Sequence, residues 1–308
     1  MPKHYSVEEE FGVKKFGPYA DSPRSIARTS VLYDVLNLTV LDAHIDTYET
    51  SEKELAQRHY PAVDSKKDLV IMDRGYPGLA SMYEMVAHGM NFLIRMRDDW
   101  WLEVRKMFKD GETDKIVTFT LEKKDKAVVE KYPDQNGQIK CRLVVVTLPD
   151  GNTEVLCTSI LDNTVLPYEH FAELYHYRWN IEEAYKLFKC RINLEAFSGK
   201  TALAVKQDFH AKIFMMTTTA VLAFPVEEQI KKECERENKH QNRKINRTNA
   251  LSKVREIACN VFIKGMIVPA LESLDDFLKK TTEKIRRFRK YPRKKQLKKP
   301  PSMNYKQL

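Results

Sequence analysis

One segment of the sequence combines an acid, three bases and a phenol at spacings that a helix would gather on one side. At about 100° per residue, Tyr175, Arg178, Glu182, Lys186 and Lys189 fall within an arc of about 80°. Arginine binds phosphate through paired hydrogen bonds, lysine acts as a point charge, and a carboxylate can hold a divalent metal. The pattern indicates a site for phosphate and metal. A solvated face with i,i+4 ion pairs has the same spacing, so both interpretations stay open.

The same residues resemble a known signature. The spacing Tyr-x2-Arg-x3-Glu-x6-Lys, with Trp179 directly after the arginine, is similar to that of bacterial insertion-sequence transposases of the DDE class, insertion-sequence family four. Asp73 in LVIMDRGYPG resembles the second catalytic aspartate of that family, and Arg95 in NFLIRMR lies in a segment that resembles the next strand. ARTSVLYDVLN, SEKELAQRHY and LEAFSGKTALAVKQDFHAK also resemble family segments, in the right order. The resemblance runs from about residue 8 to residue 295.

The resemblance implies a fold and a metal site. The implied fold is α/β: an RNase H-like mixed sheet flanked by helices, with a β-rich insertion and a helical, basic C-terminal tail. Three carboxylates of such enzymes hold two divalent ions, Mg²⁺ or Mn²⁺, and Asp73 and Glu182 would be two of the three. The implied reaction is metal-dependent DNA strand cleavage and strand transfer.

The resemblance also implies how the chain contacts DNA. Trp179 resembles the aromatic residue on which a flipped base stacks. The implied partners are the double-stranded DNA of the element ends and of the target, and a second copy in a homodimeric synaptic complex. The residues implied to bind DNA, besides Trp179, are Arg95, Tyr175, Arg178, Lys186 and Lys189.

The first catalytic aspartate of the family has no evident counterpart. It is typically followed by Gly-Ser, and no Asp-Gly-Ser occurs before Asp73. Residues 1–27 also lack the apolar run that a central strand needs. We therefore expect a chain that is truncated at its N-terminus and lacks the first core strand. Asp34, Asp42 and Asp46 are possible substitutes, each in a strand that is already assigned.

Three functions follow from these observations. The first is a transposase that cuts and joins DNA. The second is a catalytically inactive DNA-binding fragment of such a transposase, and the third is a translated relic that folds poorly. The missing aspartate favours the second or the third for this chain.

Charge is concentrated at the C-terminus. The chain has 52 Lys and Arg against 43 Asp and Glu, for a net charge of +9. Residues 279–299 hold twelve Lys and Arg and one acid, so this segment carries +11 and the rest of the chain −2. With Phe288 and Tyr291 interleaved among the cations, the segment suits contact with a phosphate backbone. A solubilising run of charge is the alternative.

Other features suggest a compartment. Five widely spaced cysteines form no CxxC pair, which argues against structural zinc and fits a reducing cytosol. No secretory signal is evident in the first twelve residues. The longest apolar stretch, residues 213–224, is shorter than the roughly 20 residues of a membrane span. The sequence predicts a cytoplasmic protein associated with the nucleoid, without a membrane partner.

Local patterns predict the elements that would position these residues. We expect a two-stranded hairpin over 29–47, a helix from Ser51, a buried strand ending at Asp73, a helix to about 88 and a strand over 91–97. Strands are expected near 101–108, 115–121, 139–147 and 154–160. Trp100 and Trp101 there pack a strand or form a second base wedge. Helices follow over 167–191 and 202–223. The predicted domains are 1–97 and 166–223 for the catalytic core, 98–165 for the insertion, and 224–308 for the helical region and tail.

Overall fold

A computed structural model describes residues 1–15, 23–97, 101–148, 151–236 and 243–285. Its strands are Ala27–Asp34 (β1), Thr39–Thr47 (β2), Leu69–Met72 (β3), Asn91–Met96 (β4), Asp114–Thr120 (β5), Gln138–Thr147 (β6), Thr153–Thr158 (β7), Arg243–Ile245 (β8) and Thr282–Lys284 (β9). Its α-helices are Tyr5–Phe11 (α1), Glu52–Arg58 (α2), Leu79–Ala87 (α3), Leu102–Asp110 (α4), Lys126–Lys131 (α5), Phe171–His176 (α6), Trp179–Cys190 (α7), Ala202–Arg236 (α8), Arg247–Phe262 (α9) and Ile267–Lys280 (α10).

The main sheet has five strands in the order β3-β4-β7-β6-β5. β3 and β4 are parallel, and the other neighbours are antiparallel, so the sheet is mixed. Residues of α3 and α4 pack in the core on one face, while Phe171 and Tyr175 of α6 pack on the other. The predicted α/β class with a mixed sheet flanked by helices is confirmed, and it is consistent with an RNase H-like fold.

The main sheet includes strands that the sequence analysis assigned to an insertion. The strands β5, β6 and β7, which the sequence placed in an inserted unit, pair with one another and with β4. In the described part of the chain, β1 and β2 form a two-stranded sheet of their own and do not pair with β3. The hairpin itself is confirmed. The predicted domain boundaries stay a prediction.

Local signals predicted the start of α2 correctly and the type of the segment over 101–108 wrongly. Ser51 caps α2, since its hydroxyl accepts a hydrogen bond from the Glu54 amide at 3.1 Å, as the capping box predicted. The segment over 101–108 is a helix, α4, and not a strand. Val104 and Met107, three residues apart, both bury their side chains, and Gly111 ends the helix in a left-handed conformation.

The described residues group into two compact units. One contains residues 30–32, 50–97, 101–148 and 151–182, including the five-stranded sheet. The other contains the described residues of 1–15, 23–29, 33–49, 183–236 and 243–285, where α8 packs against α9, α10, β2 and α1. The helix predicted over 202–223 extends to Arg236 and contains Pro225. By length and composition α8 could cross a membrane, but the core helix of a soluble protein passes the same test.

The basic C-terminal segment is described only at its start. The helical region that precedes it is confirmed as α9 and α10. Residues 286–308, with most of the predicted basic segment, lie outside the described residues, as does Trp100. Their predicted contact with DNA stays a prediction.

Candidate active site at one edge of the sheet

Three charged residues lie where β3 and β4 end and β7 begins. Asp73 directly follows β3, and Arg95 is the last residue but one of β4. The register pairs Arg95 with Leu156 of the antiparallel strand β7, which places Glu154 at the same edge. Because β3 and β4 are parallel, their carboxyl ends meet at this edge. The edge therefore holds two residues that the sequence predicted for the site, Asp73 and Arg95, and one that it did not predict, Glu154.

The pleat directs these side chains to one face of the sheet. Leu93 and Leu156 pack in the same cluster as Tyr175, on the face that α6 covers. Side chains alternate along a strand, so Arg95, two residues after Leu93, and Glu154, two residues before Leu156, point to that face as well. Asp73 follows Ile71, which also packs there, by two residues. We call this side of the sheet the α6 face.

Arg95 and Glu154 form an ion pair on the α6 face. Arg95 Nη1 lies 2.8 Å from Glu154 Oε1, and the two side chains are 28% and 10% exposed. A carboxylate this buried needs a partner, and the guanidinium provides it. The structure thus gives Arg95 a partner within the chain, while its predicted contact with DNA stays a prediction.

Tyr175 connects α6 to the end of β3. Its side chain is buried, and its hydroxyl donates a hydrogen bond of 3.3 Å to Asp73 Oδ1. Burial, followed by the negative charge of Asp73, raises the pKa of the Tyr175 hydroxyl well above its ordinary value. The hydroxyl therefore stays a donor to Asp73 across the physiological pH range.

The raised pKa of Tyr175 predicts a loss of stability in alkali. Above pH 10, an unfolded tyrosine ionises while the folded one keeps its proton, so the free energy of unfolding falls as pH rises. Tyr175→Phe is expected to flatten this fall between pH 9.5 and 11.5, and to cost about 1 kcal/mol at neutral pH through the lost hydrogen bond. Urea denaturation across this range measures both effects. Tyr5→Phe, at a tyrosine that is 75% exposed, is the control, and an unchanged slope in Tyr175→Phe would contradict the assignment.

The predicted single helix over 167–191 is broken. α6 ends at His176 and α7 begins at Trp179. Between them the Tyr177 amide donates to the Leu174 carbonyl at 3.2 Å, and the Arg178 amide to the Tyr175 carbonyl at 3.1 Å. These i to i−3 bonds are those of a 3₁₀ turn, which advances about 120° per residue instead of about 100°. The arc was calculated for one continuous helix, so it does not hold across the turn between α6 and α7.

Arg178 occupies this turn and contacts three neighbours. Its Nη2 lies 3.1 Å from Glu182 Oε1, and its guanidinium lies 4.9 Å from the ring centre of Trp179 and 5.7 Å from that of Tyr175. The side chain is 10% exposed, and among the described residues its buried Nε has no hydrogen-bond partner. A buried cationic donor without a partner suits an anionic ligand such as phosphate.

Trp179 and the two lysines lie at the surface. Trp179 is 46% exposed, so its ring is accessible to a base. Lys186 pairs with Glu183, and Lys189 is exposed. The division into compact units falls between Glu182 and Glu183, so both lysines belong to the unit that does not contain the sheet.

Asp73 and Glu182 are suited to hold a divalent metal. Carboxylate oxygens are the ligands that Mg²⁺ and Mn²⁺ prefer. Tyr175 binds Oδ1 of Asp73 and Arg178 binds Oε1 of Glu182. No hydrogen bond involves the second oxygen of either carboxylate within the described ranges. The contacts Asp73–Tyr175–Arg178–Glu182 thus place both predicted metal ligands in one network.

Other candidate residues have structural roles. Trp101 packs edge-to-face on Phe119 at 5.3 Å between ring centres, next to the core, which confirms the packing interpretation.

Asp34 caps the hairpin turn, where its Oδ1 accepts hydrogen bonds from the amides of residues 36 and 37. Asp42 lies 3.0 Å from His44, and Asp46 accepts a hydrogen bond from the next amide. These three aspartates belong to the hairpin and not to the five-stranded sheet.

Glu154 is the site residue that sequence reasoning missed. It is the second residue of β7, directly before a run of buried residues, and at that place it looks like an ordinary solvent-facing acid at the start of a strand. Only the register of β7 on β4 places it beside Arg95. No local signal in the sequence identifies it.

Two comparisons relate the chain to known proteins. The model of a protein family described as transposase DDE domain matches residues 12–218. The chain is also similar to the Escherichia coli (strain K12) protein "Transposase InsG for insertion sequence element IS4", with 29% identity over 150 residues. That alignment covers 48% of the chain and 32% of the relative, so it spans about a third of the relative's length.

Proposed function

The chain belongs to the family of transposase DDE domains, and from this premise we propose that it acts in the transposition of a bacterial insertion sequence, by metal-dependent DNA strand cleavage and strand transfer. The network Asp73–Tyr175–Arg178–Glu182 is the observation that carries the proposal, because it joins two potential metal ligands to a buried cation. An exposed aromatic ring, that of Trp179, adjoins this cation.

Each residue has a role in this proposal. Asp73 and Glu182 would hold Mg²⁺ or Mn²⁺, with two ions in the intact enzyme as the family resemblance implies. When bound, such ions activate the attacking oxygen and stabilise the leaving oxygen at phosphorus. Tyr175 fixes the orientation of the Asp73 carboxylate, and Arg178 offers its Nε to a phosphate oxygen. Trp179 offers a stacking surface to a base.

The partners and the compartment are part of the proposal. The substrate is the double-stranded DNA of the element ends and of the target, and the functional assembly is a homodimer in a synaptic complex. We place the protein in the bacterial cytoplasm, associated with the nucleoid. Lys189 is exposed and would add a contact to the phosphate backbone.

A nicking assay tests the proposal directly. Purified chain is incubated with supercoiled plasmid that carries the element ends, with Mg²⁺ or Mn²⁺ and, in parallel, with a chelator. We expect nicked or linear plasmid only with metal. The absence of both cleavage and DNA binding would contradict the proposal.

A single lysine variant tests the predicted DNA contact. Lys189→Ala is expected to weaken binding about equally for all sequences, and to reduce the slope of log K against log salt by about one. Gel shifts between 50 and 200 mM salt measure this slope. Lys66→Ala, which also removes an exposed lysine, is the control and should leave the slope unchanged. Equal slopes in wild type and Lys189→Ala would place the DNA elsewhere.

A second candidate function is DNA binding without cleavage. The hydrogen bonds of Asp34 and Asp46 and the contact of Asp42 with His44 favour it, because each proposed substitute for a first catalytic aspartate already has a local structural role. Such a fragment would bind DNA through the Arg178 site and Lys189. A salt-sensitive gel shift without nicking would identify this function.

A further inference from the structure

Large apolar side chains lie exposed where α9 turns into α10. Each is between 50% and 79% exposed. We call this group the apolar tip, and its members are Phe214, Phe262, Ile263, Met266, Ile267 and Val268. We propose that the apolar tip is the surface through which two copies of this chain associate. The inference deepens the proposed function, which includes a homodimer, and rests on that proposal for the role of the dimer.

The members of the apolar tip adjoin one another. All but one belong to residues 262–268, which form the end of α9, the turn after it and the start of α10. The exception, Phe214 of α8, packs against Phe262 with 5.6 Å between ring centres. At the other end of α9, Arg247 pairs with Glu227 of α8, so the two helices run antiparallel. The contact between Phe214 and Phe262 therefore joins α8 to the turn in one surface.

Among the described residues, the core of this helical region does not include the apolar tip. The buried side chains of α9 and α10 recur every three or four residues, as on one helix face: Ala250, Val254 and Ile257, then Ala270, Leu274 and Leu278. Ile263 lies six residues after Ile257, which turns it about 120° away from the buried face of α9. Single exposed apolar residues are common on soluble proteins, but a cluster of this size marks an interaction surface.

Main-chain hydrogen bonds fix the turn that displays the apolar tip. The amides of Ile263 and Lys264 both donate to the Cys259 carbonyl at 3.1 Å. The Met266 amide donates to the Asn260 carbonyl at 2.9 Å. A surface that already has its bound shape loses less conformational entropy on association, which favours a stable interface.

The area and the charge of the apolar tip fit a second copy of the chain. At about 100 Å² for each half-exposed side chain, the tip presents roughly 600 Å² of apolar surface. A standard interface buries about 800 Å² on each partner, of which about 500 Å² is apolar. About a twofold axis, one such patch covers itself and needs no second patch. Residues 262–268 contain a single charged residue, Lys264, so the tip lacks the cations that a DNA backbone requires.

Sedimentation equilibrium of the full, nuclease-treated chain tests this inference without DNA. We expect a dimer that persists at high salt, because salt screens charges but does not weaken apolar association. Ile263→Glu is expected to raise the Kd of the dimer at least about tenfold, since it places an unpaired charge in the buried interface. Leu36→Glu is the matched control: it makes the same kind of change at a leucine of the hairpin turn that is 73% exposed, and should leave the Kd unchanged.

Three outcomes would overturn the inference. The first is a wild-type chain that is monomeric at about 100 µM, a concentration at which even a weak dimer forms. The second is a dimer whose Kd changes neither in Ile263→Glu nor in Val268→Glu. The third is a monomer that sediments with phosphatidylcholine vesicles through Ile263, which would assign the apolar tip to a membrane surface.

The same preparations separate this inference from the proposed function. A monomeric Ile263→Glu that keeps salt-sensitive DNA binding would support the inference and leave the site of Asp73 and Glu182 intact. A wild-type dimer that neither nicks nor binds DNA would overturn the proposed function, while the loss of dimer in Ile263→Glu would still support the apolar tip as its interface.

Discussion

Glu182→Gln is expected to lower metal-dependent strand cleavage by about 100-fold or more, which corresponds to about 2.7 kcal/mol of transition-state stabilisation. Glutamine keeps the size of the side chain and an oxygen that can accept from Arg178 Nη2, so the turn that holds Arg178 should persist. It removes the negative charge that a divalent ion needs. DNA binding, which depends on cations, should therefore change little.

The neighbouring acid provides the matched control. Glu183→Gln makes the same chemical change one residue further along α7, at an exposed side chain that pairs with Lys186. We expect this variant to cleave plasmid as the wild type does. Nicking assays and gel shifts on the same preparations separate catalysis from binding. Full cleavage by Glu182→Gln would rule out this residue as a metal ligand.

Arg142→Met is expected to destabilise the sheet-containing unit by about 3 kcal/mol. Arg142 lies on β6 and is 2% exposed, although it carries a full charge. Its Nε donates to Asp114 at 2.8 Å, its Nη1 donates to the Leu166 carbonyl at 2.7 Å, and its guanidinium lies 5.1 Å from the ring centre of Phe171. Methionine fills much of the volume, but leaves the carbonyl and the carboxylate without their donor.

Urea denaturation of the purified variants measures this loss. Arg105→Met, at an exposed arginine on α4, is the control and should change the free energy of unfolding by less than about 0.5 kcal/mol. Because Phe171 begins α6, the helix that carries Tyr175, we also expect Arg142→Met to weaken Mn²⁺ binding. A variant as stable as the wild type would show that Asp114 and the Leu166 carbonyl are readily hydrated when Arg142 is absent.

The local sequence was sufficient to predict an element where residues that are close together in the chain stabilise it. The capping box at Ser51, the hairpin turn at Asp34 and the apolar runs of β3 and β4 predicted elements that the structure contains. The four-residue spacing of Arg178 and Glu182 predicted their contact for the same reason. The segment at 101–108 failed, because its short run of apolar residues fits helix and strand periods almost equally well.

The sequence by itself determined the family, the class of fold and the residue types of the candidate site, since all of these are encoded in short segments and their order along the chain. Only the tertiary structure decided that Glu154 faces Arg95, that Arg142 is buried and that Trp179 is exposed. It also decided that β7 joins β4, whereas the hairpin pairs with itself. Strand register and burial depend on contacts between distant residues, and a periodic pattern specifies which face a side chain shares but not which neighbour it meets.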